Sequence, residues 1–449
     1  MTARRGCART VAAAVAAFAT VLAAAACTTV GHRSGPAASA CNDLVASPTL
    51  APPPVDPEWP VMGFDPYNTF GDSADQAEVV GIVQVMARNG MRDAGYRYVI
   101  LDDGWQGSRT AAGQITADPG RFPCGIQRLA AYVHAEGFRF GIYTSPAPRA
   151  CSGRIGSGGH VAADARTFAS WGVDYVKLDW CGSDYSPSGA AAIARTWRAA
   201  LDATGRRIIL SINAGGAPSV GLWARLSVNS WRVGGDICGS WYNQTRPPSS
   251  TARACYNRQY DEGIYDYLTS PGVQAQEALS GPGHHIDPDM LEVGTMGKSA
   301  GGQDLATYAL DLAEAGTNFA IWAMWSAPLI AGNDPRTMDG ADLASRILLN
   351  REIIAVDQDP LGRPATLVVR QGGWQVWRKP LVGGRTAVAV VNLADSAAEA
   401  FFSWAELDGS GQPATVSDAW SERDVPVDGR GVHVQVGAHA TAVYVLTGR

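Results

Sequence analysis

Two aspartates stand where a pair of carboxyl groups can do nucleophilic and acid–base chemistry. Asp179 lies near the end of the apolar run VDYVKLDW, and Asp236 follows a later run, four residues after Arg232. Enzymes that break glycosidic bonds use two such groups, one to attack the anomeric carbon or activate water and one to protonate the leaving oxygen. On spacing alone, an equally good interpretation is that both aspartates are loop caps or salt-bridge partners.

Other polar side chains fall at or near the ends of apolar runs. Lys177 lies two residues before Asp179, so on a strand both project to one face, and the ammonium is expected to keep Asp179 ionised. Asp102 and Asp103 suit hydrogen bonds to neighbouring sugar hydroxyls, with a divalent-metal site as the alternative. The other polar candidates at such ends are Tyr143, Asn213 and Arg232. Rings that can stack on a sugar, or else belong to the core, are Tyr67, Trp105, Tyr143, Trp180 and Trp231.

The segments that carry these residues alternate between runs typical of strands and longer amphipathic stretches typical of helices. The predicted strands are RYVILDDGW, FRFGIYT, VDYVKLDW, RIILSIN, RLSVNSW and FAIWAMWSAPLI. The predicted helices span 76–93, 125–136, 161–171 and 189–203. This repetition predicts an α/β fold, a (β/α)8 barrel whose active site lies at the C-terminal ends of the strands. No G-x-G-x-x-G turn follows a strand, so a dinucleotide site lacks support.

The chain divides into four predicted regions. Residues 1–27 form an export signal, 28–56 a disordered Ala/Ser/Pro/Gly linker, 57–362 the barrel and 363–449 a small antiparallel β-sandwich with a structural role. The apolar run of the leader is shorter than the ~20 residues that span a bilayer, which disfavours a transmembrane anchor. Cys27 ends that run, and a lipid on it would tether the protein to the outer face of the membrane.

Charge and cysteine content limit the partners and the compartment. The 36 basic and 42 acidic residues form no basic stripe, so no nucleic-acid partner is expected. With Cys7 and Cys27 set aside, an even number of cysteines remains, which in an exported chain predicts disulfides, and their spacing does not match a zinc knuckle. These cysteines are Cys41, Cys124, Cys151, Cys181, Cys238 and Cys255.

A set of ordered segments resembles the retaining α-galactosidases and α-N-acetylgalactosaminidases of glycoside hydrolase family 27. The segments are VMGFDPYNTFG, DAGYRYVILDDGW, GFRFGIYT, FASWGVDYVKLDWC, SWRVGGDI, DPDMLEVG, WSAPLIAGND and NREIIAVDQDPLG. The resemblance implies a (β/α)8 barrel with a C-terminal β-domain, a carbohydrate substrate and a double-displacement mechanism with retention of configuration. It implies no metal and no organic cofactor.

The resemblance also implies roles for individual residues. Asp179 takes the nucleophile's place and Asp236 that of the acid/base. Asp102 and Asp103 match the pair that binds the axial and exocyclic hydroxyls of galactose. Further sugar-binding positions are matched by Lys177, Tyr143 and Arg232. Cys151 and Cys181 match the family's disulfide below the site, and Cys238–Cys255 and Cys41–Cys124 are the pairs expected for the rest, from proximity and elimination.

Departures from the family pattern leave the substrate open. Phe64 and Tyr67 stand where the opening motif usually carries Trp, and Asn213 lies in a small uncharged segment, 212–217, that replaces a Cys-Glu-Trp recognising the sugar's 2-position. His285 and Ile286 replace a Trp-Asn pair. The expected activity is release of terminal α-linked galactose. The alternatives are α-N-acetylgalactosaminides, β-L-arabinopyranosides or α-glucans as substrates, or a catalytically inactive carbohydrate-binding protein.

Overall fold

The structure is a computed structural model that describes residues 41, 44, 51–214, 219–242, 261–294, 310–407, 412–427 and 429–448. Its first part contains eight parallel strands. They are β1 Met62–Phe64, β2 Tyr98–Leu101, β3 Arg139–Thr144, β4 Tyr175–Asp179, β5 Ile209–Asn213, β6 Ser230–Arg232, β7 His285–Asp287 and β8 Leu329–Ala331.

The eight strands form one closed ring. Each strand pairs with the next in the chain from β1 to β7, and β1 also pairs with β8. Beyond the end of β7, Leu291 forms a parallel bridge to Ala331 on β8, and its N–H donates to the carbonyl of Ile330 at 2.7 Å. The predicted (β/α)8 barrel is confirmed.

Helices with local start signals surround the strands. Asp75 and Glu78 form a capping box at the start of α2, and Ser186 caps α6 with Pro187 at its first position. The helices are α1 Tyr67–Phe70, α2 Gln76–Met86, α3 Met91–Ala94, α4 Gly125–Ala135, α5 Val161–Trp171, α6 Pro187–Asp202, α7 Val220–Ala224, α8 Ile264–Thr269, α9 Pro271–Glu277, α10 Leu312–Met324, α11 Leu343–Leu348, α12 Arg351–Asp357 and α13 Trp404–Leu407. Short strand pairs also join Gln106–Arg109 to Ile115–Ala117, and Asp236–Ile237 to Asp261–Glu262.

One predicted strand is mostly helical. In FAIWAMWSAPLI only the final residues enter β8, whereas the first six complete helix α10. Every residue of α10 from Ala315 to Met324 is buried, so the helix has no polar face. An apolar stretch without a polar face has no clear period, so its sequence pattern does not distinguish a buried helix from a strand.

The C-terminal region is antiparallel, as predicted. Its strands are β9 Thr366–Gln371, β10 Trp374–Leu381, β11 Arg385–Asn392, β12 Ala398–Ser403, β13 Thr415–Asp418, β14 Arg423–Val425, β15 Gly431–Val436 and β16 Thr441–Thr447. A six-stranded sheet, in the order β9-β10-β11-β16-β13-β14, faces the pair β12-β15.

The six-stranded sheet is apolar on both faces. Val376, Val388 and Val390 point to the sandwich core, whereas Trp377 and Ala389 join the core that is continuous with the barrel. This alternation on single strands packs the sandwich firmly against the barrel.

Among the described residues, no helix combines the length and the apolar character needed to cross a bilayer. The leader and Cys27 lie outside those residues. The predicted disulfide Cys41–Cys124 is confirmed, with a Cα–Cα distance of 5.5 Å. Cys238 is disulfide-bonded, and Cys255, its predicted partner, lies outside the described residues.

Candidate active site

A lysine with two carboxylate partners lies at the C-terminal end of the barrel. Lys177, on β4, donates to Asp65 just beyond β1 at 3.0 Å and to Asp102 just beyond β2 at 2.6 Å. Burial alone would lower the pKa of Lys177, but the charges of Asp102 and Asp65 outweigh burial and raise it. Burial and the charge of Asp102 raise the pKa of Asp65. The ammonium therefore stays charged and fixes two carboxylates.

Asp103 is held by a loop that follows β3. The backbone N–H of Ser152 donates to Oδ2 of Asp103 at 2.7 Å, and the hydroxyl of Ser152 donates to Oδ1 at 2.8 Å. The N–H of Gly104 also donates to Oδ1, at 2.7 Å. Asp102 accepts from Lys177, and Asp103 accepts from Ser152 and Gly104. A divalent cation needs several free oxygens, so these carboxylates suit sugar hydroxyls better than a cation.

Asp179 ends β4 and lies partly enclosed. Its Oδ2 accepts from the hydroxyl of Tyr143 at 3.0 Å, and its Oδ1 accepts from the N–H of Trp180 at 2.9 Å. Burial raises the pKa of Asp179 to about 6, against the lowering effect of Lys177 and with a smaller rise from the charge of Asp236. Lys177 thus favours the ionised form of Asp179, as expected, but burial has the larger effect, so the carboxyl is ionised only above about pH 6.

Asp236 lies on the solvent side of the same group. Arg232, at the end of β6, donates to Oδ1 of Asp236 at 2.7 Å, and the side chain of Asp236 is 67% exposed while that of Arg232 is 3% exposed. Arg232 also contacts Asp289, whose Oδ2 accepts from the N–H of Ile237 at 2.8 Å. The buried arginine thus fixes an accessible carboxyl, and the charge of Asp236 is felt at Asp179.

The disulfide Cys151–Cys181, with a Cα–Cα distance of 5.2 Å, borders the nucleophile candidate. The Sγ of Cys151 lies 3.2 Å from Oδ2 of Asp179. These two cysteines and Asp179 come close enough together to hold a metal ion. Because the sulfurs are bonded to each other, they offer no thiolate, so this group does not fit a metal centre.

The structure brings most of the predicted site residues together. Tyr67 is half-buried, and burial together with the charges of Asp102 and Asp236 raises its pKa. Asn213 pairs in register with Asp179 on the neighbouring strand, and most of the small segment after it lies outside the described residues.

Trp105 is not brought to this group. It is fully buried, its ring meets the edges of Phe168 and Trp171 on α5, and its indole N–H donates to the backbone carbonyl of Tyr143 at 2.8 Å. The ring supports the barrel wall behind the site.

Three residues that contact the candidate site residues have no site role predicted from the sequence. Asp65 lies in the segment MGFDPYN directly after β1, and Asp289 lies in the segment DPD directly after β7. Position at a strand end was an available signal for both, as it was for Asp102. Ser152 carries no such signal, because it lies in a loop and meets Asp103 only through the fold.

A barrel with an enclosed carboxyl, an accessible second carboxyl and further fixed carboxylates at its C-terminal face has the architecture of a glycoside hydrolase. Residues 72–359 match the family model described as alpha galactosidase A, and residues 371–446 match the alpha galactosidase C-terminal beta sandwich domain. The chain belongs to the α-galactosidase family, glycoside hydrolase family 27, and is a glycosidase.

Individual relatives agree with the family match. The chain is 37% identical over 350 residues to alpha-galactosidase A of Cellvibrio japonicus, covering 77% of this chain and 78% of that protein. It is 34% identical over 403 residues to an alpha-galactosidase of Cyamopsis tetragonoloba, covering 87% of each. The crystal structure of alpha-galactosidase I from Mortierella vinacea superposes with a TM-score of 0.76 at 29% identity, covering 86% of this chain and 96% of that one. The resemblance inferred from the sequence is confirmed.

Proposed function

We propose that this glycosidase releases terminal α-linked galactose with retention of configuration, with Asp179 as nucleophile and Asp236 as acid/base. The observation that carries the proposal is the contrast between the two carboxyls: Asp179 is enclosed at the end of β4, and Asp236 is accessible and fixed by Arg232. The names of the relatives, which are alpha-galactosidases in bacteria and plants, support the choice of sugar.

The first step forms a covalent intermediate. A carboxylate oxygen of Asp179 attacks the anomeric carbon, the bond from that carbon to the glycosidic oxygen breaks, and Asp236 gives its proton to the leaving oxygen. The hydroxyl of Tyr143 and the N–H of Trp180 hold the attacking carboxylate in one orientation. Partial desolvation makes the anion of Asp179 more reactive, because fewer water molecules must leave it.

The second step restores the enzyme. Asp236, now a carboxylate, takes a proton from water, the water oxygen bonds to the anomeric carbon, and the bond to Asp179 breaks. Each step inverts the anomeric centre, so the released sugar keeps its original configuration. The exposure of Asp236 gives water and the leaving group access to it.

Sugar recognition falls to the carboxylates that Lys177 and Ser152 hold in place. Asp102 and Asp103 accept hydroxyl hydrogen bonds, and Lys177 donates from the position that Asp65 and Asp102 give it. These groups use several fixed, charge-assisted hydrogen bonds, which are stronger than bonds between neutral partners. Asn213, Tyr67 and Arg232 complete the proposed binding set.

The test is hydrolysis of p-nitrophenyl α-galactoside, with the N-acetylgalactosaminide and β-L-arabinopyranoside analogues beside it. Proton NMR at early times should show α-galactose before mutarotation produces the β-anomer. With azide present, Asp236→Ala should give α-galactosyl azide, and Asp179→Gly should give the β-azide, because azide then replaces water or the nucleophile respectively. An initial β-product from the wild-type protein would contradict retention. Activity on one of the two analogues without activity on the α-galactoside would contradict galactose as the released sugar.

We also infer that the chain is exported, with residues 1–27 as its signal, 28–56 as a linker, 57–362 as the barrel and 363–449 as the sandwich. The disulfides Cys41–Cys124 and Cys151–Cys181 support export, because such bonds persist in oxidising compartments. A tether through Cys27 is the alternative to release. Labelling with a fatty acid, compared between wild type and Cys27→Ala, separates the two.

A further inference from the structure

One short loop controls the orientation of a carboxylate that the proposed function assigns to sugar binding. Ser152 donates twice to Asp103, from its backbone N–H to Oδ2 at 2.7 Å and from its hydroxyl to Oδ1 at 2.8 Å. This two-point contact fixes the plane of the carboxylate, which a single bond would leave free to rotate.

The loop is itself anchored on both sides of Ser152. Cys151 is bonded to Cys181, two residues beyond Asp179. Arg154 donates to the carbonyl of Gln106 at 2.6 Å and to Asp118 at 2.9 Å. Ser152 therefore has a fixed position relative to the barrel, and its bonds transmit that position to Asp103.

The acceptor capacity of Asp103 is nearly filled by the protein. A carboxylate offers about four lone-pair directions. Two bonds from Ser152 and one from Gly104 occupy three of them, which leaves about one for a ligand. Asp103 is thus oriented to accept from a single sugar hydroxyl, in a direction that Ser152 determines.

The same bonds oppose the effect of burial on charge. Burial raises the pKa of Asp103, and the charge of Asp102 adds to that rise, whereas both bonds from Ser152 lower it. Loss of the hydroxyl removes one lowering contribution and leaves the backbone contribution in place.

We propose that Ser152 is a positioning residue that sets the direction in which Asp103 accepts a sugar hydroxyl, and so determines affinity for the sugar. It acts through Asp103 and does not touch the carboxyls proposed for the chemistry. This inference rests on the proposed function, which makes Asp103 part of the sugar-binding set.

The test compares Ser152→Ala with Ser152→Thr. Ala keeps the backbone donor and loses the hydroxyl, so KM for p-nitrophenyl α-galactoside and the inhibition constant of galactose should rise about tenfold, the value of one bond to a charged group. The kcat should change less than about threefold, because the chemical groups are intact. Thr keeps the hydroxyl and should restore the wild-type KM to within about threefold.

The pH dependence of KM gives a readout that a purely structural role would not move. In Ser152→Ala the pKa of Asp103 is higher, so KM should begin to rise at a higher pH as the solution is acidified. Ser157→Ala is the matched control, because it removes a hydroxyl in the same loop that bonds to Thr144 at 2.7 Å, and its KM should stay unchanged. Thermal unfolding of each variant identifies any loss of fold.

The outcomes separate this inference from the proposed function. If the wild-type enzyme is active and Ser152→Ala has the same KM and pH profile, the role of Ser152 is overturned and the proposed function stands. If KM rises equally in Ser152→Ala and Ser157→Ala, the cause is a loss of loop stability, and the proposed role of Ser152 is overturned. A folded wild type that neither hydrolyses α-galactosides nor binds galactose overturns both proposals.

Discussion

Two aspartates at opposite ends of strand β4 have the same side chain and opposite surroundings. Asp174 precedes the strand, is fully buried, and accepts from His134 at 2.7 Å, Arg139 at 3.2 Å, Arg206 at 2.6 Å and the N–H of Phe140 at 3.0 Å. Asp179 ends the strand and accepts from a hydroxyl and a backbone N–H, and within the described part of the chain it forms no ion pair with a cation.

The pKa values of the two groups differ accordingly. Burial raises the pKa of Asp174, but the bonds from His134, Phe140 and Arg206 overcome burial and the net pKa is lowered. Burial prevails at Asp179 and raises its pKa to about 6. In a barrel, the N-terminal face serves stability and the C-terminal face serves chemistry. Asp174 is fully compensated, whereas Asp179 is left with an uncompensated cost that makes it reactive.

The largest effect should come from removing the charge at the chemical end. Asp179→Asn keeps the shape and removes the nucleophile, so kcat/KM should fall by at least about a thousandfold. Because the pKa of Asp179 is raised to about 6, its ionisation costs stability from the ordinary Asp pKa upward, and the cost is complete above about pH 6. Asn should therefore stabilise the protein by about 1–3 kcal/mol at pH 7. Steady-state kinetics and denaturant unfolding measure the two changes. A variant that loses both activity and stability would contradict the comparison.

The next effect concerns the structural end. Asp174→Asn leaves two arginines and a histidine around a neutral side chain, which should cost about 3 kcal/mol of unfolding free energy at pH 7. The lowered pKa means that the contribution of Asp174 is present above the ordinary Asp pKa and is lost as the pH falls through the folded-state value. The difference between wild type and variant should therefore shrink in acid, as urea unfolding at several pH values would show.

Activity of the folded fraction is the control for Asp174→Asn. Asp174 lies about 16 Å along the strand from Asp179, so kcat per folded molecule should be unchanged at a temperature where the variant is folded. A large loss of kcat in a fully folded variant would show that the two ends are coupled.

The pH dependence of the wild-type enzyme sharpens the comparison. The nucleophile must be ionised, so kcat/KM should fall about tenfold per pH unit below a value near 6, instead of near the ordinary Asp value of about 4. An acid limb near pH 4 would show that burial at Asp179 is compensated in solution. Since kcat/KM reports the free enzyme, saturation by substrate does not disturb this measurement.

Much of the site was predictable because strand geometry is local. The two-residue spacing of Lys177 and Asp179 and the adjacency of Asp102 and Asp103 at a strand end follow from the sequence, and the resemblance supplied their roles. The partners of these residues were not predictable. Ser152 is 49 residues from Asp103, and Asp65 is 112 residues from Lys177, so only the closed barrel brings them together.

Most of the fold was also predictable from the sequence. The prediction failed where an element is buried on every side. Helix α10 lies between the barrel and the sandwich, so no polar face marked its period. Trp105 was a candidate for sugar stacking because it follows Asp102 and Asp103, but a side chain four residues past the end of β2 has no direction fixed by the strand. In the structure its ring packs against α5.

The smallest effect is expected at the junction between the barrel and the sandwich. It tests whether a buried titratable group outside the candidate site is again compensated by its partners, as Asp174 is. The ring nitrogens of His439 lie 2.9 Å from Glu314 on α10 and 2.9 Å from Asp395, so the protonated ring donates to both carboxylates. The ring also stacks on Trp241, with centroids 4.4 Å apart. Burial lowers the pKa of His439, but the two carboxylates outweigh it and the net pKa is raised. Like Asp174, this group is compensated by its partners.

His439→Asn should therefore cost about 1–2 kcal/mol of unfolding free energy, mainly in acid. Asn is chosen because the backbone φ of 57° lies in the left-handed region, which Asn tolerates better than most residues. A raised histidine pKa contributes stability that is complete below the ordinary value of about 6.5 and disappears as the pH rises through the folded-state value. The gap between wild type and variant should be wide at pH 5 and narrow at pH 9. A gap that stays the same from pH 5 to pH 9 would mean that the stacking on Trp241, and not the ion pairs, holds the junction.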